Sequence, residues 1–195
     1  MSTPPQNPDL ARDLIRLAGQ ASTHWSRRIR DTLDARTLGQ FRHADHVNAG
    51  VLRRVLAEHD WPGHRLVGVD GCRAAWQIAL HADHDYALQS AAVRLLRQAV
   101  DQRDAPVWQW AHLQDRALIA KGQPQEWGTQ YQLTPAGVRP CPVREPATLD
   151  TRRAALGLPR AEAAMAALLD RLAAPRHDAA ASGELEVPSP LAGAA

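Results

Sequence analysis

Apolar positions recur every three or four residues along most of this chain, which is the spacing of an amphipathic helix rather than of a strand. Leu10, Leu14, Leu17, Ala21, Trp25 and Ile29 make the first such stripe. Asn7-Pro8 ahead of it offers a cap and then proline at the first helical position, so a long helix over about 8–34 is predicted. Val47, Val51, Leu52, Val55 and Leu56 follow a capping Asp45, and Asp60-Trp61-Pro62-Gly63 breaks that helix. Asp70 can cap a third helix carrying Ala75, Trp76, Ile78 and Ala79 towards His81. A fourth helix over about 85–102 and a short one after Pro106 continue the pattern. From Ala117 to Val143 the helical period is lost, and the alternation there predicts a two- or three-stranded meander. A last helix starts at Asp150 or Thr151 and runs to Ala173. The expected fold class is therefore α+β and mainly α-helical, with five or six helices and a small antiparallel β-meander at about 117–143.

Composition refines this picture only at the edges. The stretch from Pro175 to Ala195 is rich in Ala, Pro, Ser and Gly and reads as a disordered tail, as do residues 1–7, leaving one domain over 8–173. With 23 Lys+Arg against 21 Asp+Glu, the charges nearly balance and are spread over all the helices, which argues against a basic nucleic-acid-binding stripe. No apolar run reaches the roughly 18 residues of a membrane span, and the amino-terminal residues lack the pattern of a secretory leader. The expected location is the cytoplasm. Cys72 and Cys141 stand far apart without ligand spacing and read as inert thiols. The 36 alanines and the use of arginine for every cation except Lys121 are the composition of GC-rich bacterial coding and carry no function.

The candidate chemistry lies in mid-chain. His81-Ala82-Asp83-His84-Asp85 places His81, His84 and Asp85 on one helical face, and an earlier copy, His43-Ala44-Asp45-His46, gives a second His-x-x-His pair. Such pairs can hold a metal, yet no third ligand motif completes either one, and the apolar registers around the two copies disagree. No metal site is expected; both copies read as polar helix junctions. A second cluster is Asp115-Arg116 followed by Gln125, Trp127-Gly128-Thr129-Gln130. Arg116 can fork a carboxylate or phosphate, Asp115 can orient it or take a proton, and the glutamines present amides to the polar edges of a substrate. Their bland alternative is a capped turn and a satisfied sheet face. Of six tryptophans, Trp25 and Trp76 fall on apolar stripes, whereas Trp61, Trp108 and Trp127 adjoin loops and are candidates for a cleft wall.

Taken in order, these motifs resemble an uncharacterised bacterial domain family of unknown function. The resemblance rests on Asp45 and Asn48, Trp61-Pro62, Gly68, His81-Ala82-Asp83, Leu113 with Asp115-Arg116, Gly122 with Gln125, Trp127-Gly128-Thr129-Gln130, and Asp150 with Arg152-Arg153 and Gly157-Leu158. It spans about residues 40–160, with Asp60, Leu80 and Trp127 as departures from the family pattern. It implies no reaction. It favours His81, Asp115, Arg116, Gln125 and Gln130 as a set over the four-histidine site.

The reading that follows is an enzyme acting on a small anionic molecule or a peptide, with a cleft between His81 and the Gln-rich meander. His81, Asp83 and Asp115 are the expected acid/base residues, and Arg116, Gln125, Gln130, Trp61, Trp127 and Asp45 the expected substrate-binding ones. Hydrolysis or group transfer is preferred to redox chemistry, because dinucleotide, P-loop and nucleophile motifs are missing and no cofactor is implied. The alternative is a non-catalytic interaction module whose polar residues form a buried packing network.

Overall fold

A computed structural model describes residues 4–25, 35–134 and 137–173. The expected helical continuation to residue 34 and the tail after residue 173 lie outside the described residues. Among those described there are seven α-helices and one two-stranded antiparallel sheet, so the mainly helical α+β class holds, with slightly more helices than expected.

Helix α1 spans Pro8–Trp25, and Asn7 caps it by accepting from the Leu10 N–H at 3.0 Å. Just before it, the Gln6 and Asn7 N–H groups donate to the Arg65 and Leu66 carbonyls at 3.0 and 2.8 Å. Helix α2, Ala35–His59, begins well before Asp45, which therefore sits mid-helix instead of capping. Helix α3, His64–Leu80, is interrupted at Gly68, whose φ of +74° only glycine adopts without strain, so the regular helix resumes close to the expected start at Asp70. Asp85 caps α4, Tyr86–Asp101, accepting from the Leu88 N–H at 3.0 Å. Helix α5, Val107–Ala120, absorbs Ala117–Ala120, which the sequence assigned to a strand. The short apolar run extends the helical period by one more turn, and Gly122 at φ +69° then ends it.

The sheet is correspondingly small. Strands β1, Tyr131–Thr134, and β2, Gly137–Pro140, pair antiparallel with Tyr131 opposite Pro140 and Gln132 opposite Arg139. A parallel bridge between Gln125 and Val143 ties the preceding loop alongside. The last predicted helix is two, α6 at Leu149–Ala155 and α7 at Ala161–Ala173, divided at Gly157 with φ +67°. Asp150 does act as a cap, but across that break, accepting from the Ala161 N–H at 2.9 Å.

The core lies between α1, α2, α3, α4 and α5, with Ala49, Leu52 and Leu56 of α2 buried in it. Ala11, Leu14, Ala18 and Ala21 of α1 face Cys72, Ala75 and Ile78 of α3, and Leu95 and Leu96 of α4 close the other side. Gly71 allows the close approach of α1, because a Cβ there would stand 3.3 Å from the Ala11 Cβ and 2.7 Å from that of Val67. Trp76, 1 % exposed, anchors the centre as its stripe predicted, its indole N–H donating to the Gln109 carbonyl at 2.9 Å. No described helix is long and apolar enough to cross a membrane.

Candidate functional site

The packing of α3, α4 and α5 buries a set of polar side chains where the helices meet the loop 121–130. Asp115, on the inner face of α5, is 0 % exposed. Its Oδ1 accepts from the Glu126 and Trp127 N–H groups at 2.7 and 3.0 Å, and its Oδ2 from the Thr129 N–H and Oγ1 at 3.0 and 2.9 Å. Burial pushes this carboxyl upward, and the bonds from residues 126–129 pull it back towards the ionised form. Every donor comes from one loop, so Asp115 is the peg on which residues 126–129 fold.

Gln125 and Gln130 complete the loop. The Gln125 Nε2 donates to the Gln130 and Cys141 carbonyls at 3.0 and 2.8 Å, and its Oε1 accepts from the Gln130 N–H at 2.8 Å. Gln125 is thus saturated. Gln130, 1 % exposed, donates from Nε2 to the His112 carbonyl at 3.3 Å and to Thr129 Oγ1 at 3.0 Å. Arg153 of α6, buried although the sequence reading gave it no site role, clamps the other side, donating to the Trp127, Gly128 and Pro159 carbonyls. Gly128, at φ +65°, is needed here, since a Cβ would stand 3.1 Å from Leu149.

The next residue on α5 points elsewhere. Arg116, 4 % exposed, forks Asp83 with Nε, at 2.7 Å, and Nη2. Asp83 keeps 27 % of its side chain exposed and accepts a further bond from Gln89 Nε2 at 3.2 Å. Gln89, buried on α4, also bonds the Ala79 carbonyl at 3.3 Å. His81, buried at the end of α3, precedes Asp83 by two residues. The structure therefore forms two hydrogen-bonded clusters from adjacent residues of α5: Arg116 with Asp83 and Gln89, and Asp115 with Gln125, Gln130 and the Trp127 backbone, in which Thr129 Oγ1 joins Asp115 to Gln130.

A cleft of about 240 Å³ opens beside these clusters, lined by Arg116, Ile119, Gln130, Tyr131, Gln132 and Pro142 among others. His81 is not in its wall. Trp61 and Asp45 also stand outside it: Trp61 is buried against a second cleft of about 360 Å³ with Arg65 and Asp104, and Asp45 is half-buried within α2. Trp127 packs against Trp110, with ring centres 5.8 Å apart, and Arg97 lies over the Trp110 ring at 4.7 Å.

The histidine repeats meet without forming a ligand set. His46 and His84 stack with centres 3.6 Å apart, and the Nδ1 of His46 bonds the Arg42 carbonyl at 2.8 Å. Among the described residues no three His, Cys, Asp or Glu side chains converge to hold a metal. The stack instead fastens the turn that carries Asp83 to α2, aided by the ion pair of Asp85 with Arg53.

Sequence reasoning passed over Gln89, His112 and Arg153. Gln89 and His112 gave a weak signal as single polar residues within a helical pattern, and Arg153 stood out only as part of the Arg152-Arg153 motif of the resemblance. His112 packs edge-on against Trp76 and Trp108, and burial lowers its imidazole to about 4. No curated protein and no solved structure matches this chain. The family model that does match covers residues 8–174 and thus includes every element described above, so the chain belongs to DUF6624, a family of unknown function.

Proposed function

We propose that this chain is a cytoplasmic bacterial protein that acts on small anionic molecules or short peptides by acid/base chemistry, either hydrolysis or group transfer. The observation that carries this reading is Arg116, a nearly buried cation that fixes Asp83 with one edge and lines the 240 Å³ cleft as well. The lining of that cleft holds no carboxylate, and the Arg116 charge it presents is shared with Asp83. Asp83 is held by donors from α4 and α5 while part of it stays open to solvent, which suits a reacting or orienting carboxylate. His81 lies two residues before Asp83 but outside the cleft wall, and its acid/base role is the expectation that the His81→Gln test below decides. Asp115, saturated and enclosed, serves to hold the loop in place of proton transfer. Two free, buried cysteines suit a reducing compartment.

The saturation of Asp115 and Gln125 also favours a second reading, a non-catalytic interaction module with a packing network. The two separate by turnover. Incubating the full chain with a panel of small carboxylates, phosphates and short peptides is expected to reveal a reaction that disappears in His81→Gln while the circular-dichroism spectrum is kept. An absence of turnover across the panel, or turnover untouched by that substitution, favours the interaction module.

A further inference from the structure

The duplicated His-Ala-Asp-His tetrapeptide has no part in the cleft, yet the fold brings its two copies together. His46 ends the copy in α2, and His84 ends the copy in the turn between α3 and α4. Their rings stack with centres 3.6 Å apart and planes 20° apart. The Nδ1 of His46 lies 2.8 Å from the Arg42 carbonyl, which can only accept, so Nδ1 carries a proton and any further proton enters at Nε2. Two neutral rings can share this spacing, whereas two imidazolium ions repel strongly across it.

The charges around the stack do not cancel that repulsion. His84 is faced by His46 and Asp45 from α2 and by Asp83 and Asp85 from its own turn. Asp83 is already forked by Arg116 of α5, and Asp85 pairs with Arg53 of α2 while it caps α4. Partial burial and then His46 lower the His84 imidazole, against the pull of the three carboxylates.

We infer that the His46–His84 stack is a pH-sensitive latch, closed while at least one ring is neutral and opened when both are charged, and that opening frees the turn carrying Asp83 from α2. The open joint takes the second proton more readily than the stacked one, so the latch is kept above the ordinary imidazole value of 6.5 and opens as pH falls below it. Because Asp83 orients Arg116, opening reaches the wall of the cleft. The latch is a property of the joint, whatever reaction the cleft carries.

Histidine ring-proton resonances of the full chain, followed against pH in wild type and His46→Gln, test the coupling. The His84 midpoint, assigned by its absence in His84→Gln, is expected to rise by about one pH unit when His46 is replaced. An unmoved midpoint overturns the latch. Opening is read separately, as the hydrogen-exchange protection factor of the Asp85 amide, which donates to the Ala82 carbonyl at 2.9 Å across the turn. Protection is expected to fall about tenfold between about pH 7.5 and 5 in wild type, and to stay level in His46→Phe, which keeps a ring on His84 but takes no proton. Constant protection in wild type would show two coupled rings that move nothing and overturns the latch. An equal fall in His46→Phe assigns the acid response to other groups and overturns it too.

Discussion

Arg116 and Asp83, 33 positions apart in sequence, form a forked ion pair that fastens the turn after α3 to the middle of α5. The guanidinium is nearly buried and the carboxylate only partly so, which makes the pair asymmetric. Removing the carboxylate strands a buried cation, whereas removing the cation releases a group that can hydrate.

Asp83→Asn should therefore lower stability by about 2–4 kcal/mol, several degrees in the thermal midpoint of a domain of this size. A double-mutant cycle with Arg116→Met, followed by thermal melts, should give a coupling energy above about 1 kcal/mol. Additive effects would show that the two side chains do not depend on each other.

Asp115→Asn keeps the shape of the side chain and replaces one acceptor with an NH₂ group that faces the N–H groups of residues 126–129. The expected loss is about 3 kcal/mol in urea unfolding, the scale of a buried network broken on one side. An unchanged midpoint would remove Asp115 from the role of holding that loop.

Gly128 and Gly122 both take positive φ, but only Gly128 is crowded, with Leu149 at 3.1 Å from a built Cβ and nothing within 4 Å at Gly122. Alanine at Gly122 should cost about 1 kcal/mol from backbone strain alone, and alanine at Gly128 clearly more. Equal losses would mean that Leu149 yields freely.

His112 is held neutral, its imidazole lowered from 6.5 to about 4 by burial. The unfolded chain then binds the extra proton between those values, so this residue's contribution is fully present above pH 6.5 and is lost as pH falls towards 4. The loss reaches up to about 3 kcal/mol. His112→Phe keeps an aromatic ring between Trp76 and Trp108, and should flatten the acid side of the melting-temperature profile relative to wild type. A parallel profile would assign that acid sensitivity to carboxylates.

The helices were legible because burial imposes a period that the sequence must obey: the stripes of α1, α3 and α4 could be read directly, and Asn7 as a cap. The errors fell where local signals compete. Ala117–Ala120 is too short a run for periodicity to separate strand from helix, and the polar His43–His46 stretch hid the continuity of α2. The break at Gly157 had a visible signal in Gly157-Leu158-Pro159 that the long apolar run of α7 obscured. In the site, the residue types were legible and the pairings were not. Asp115 and Arg116 are adjacent in sequence yet face different partners, since successive helical positions diverge by about 100°. The partner of Arg116 comes from another helix junction, which no local spacing encodes.

The central claim is that the working surface is the cleft at Arg116. Amide proton–nitrogen correlation spectra of the isotope-labelled full chain, titrated with N-acetyl-L-alanine, test it most directly. Shifts are expected to concentrate on Ile119, Gly122, Gln123, Gln130 and Gln132 in the wall of that cleft, with smaller ones at Asp83. Shifts centred instead on Trp61, Arg65 and Asp104, or no shifts at any concentration, would contradict it.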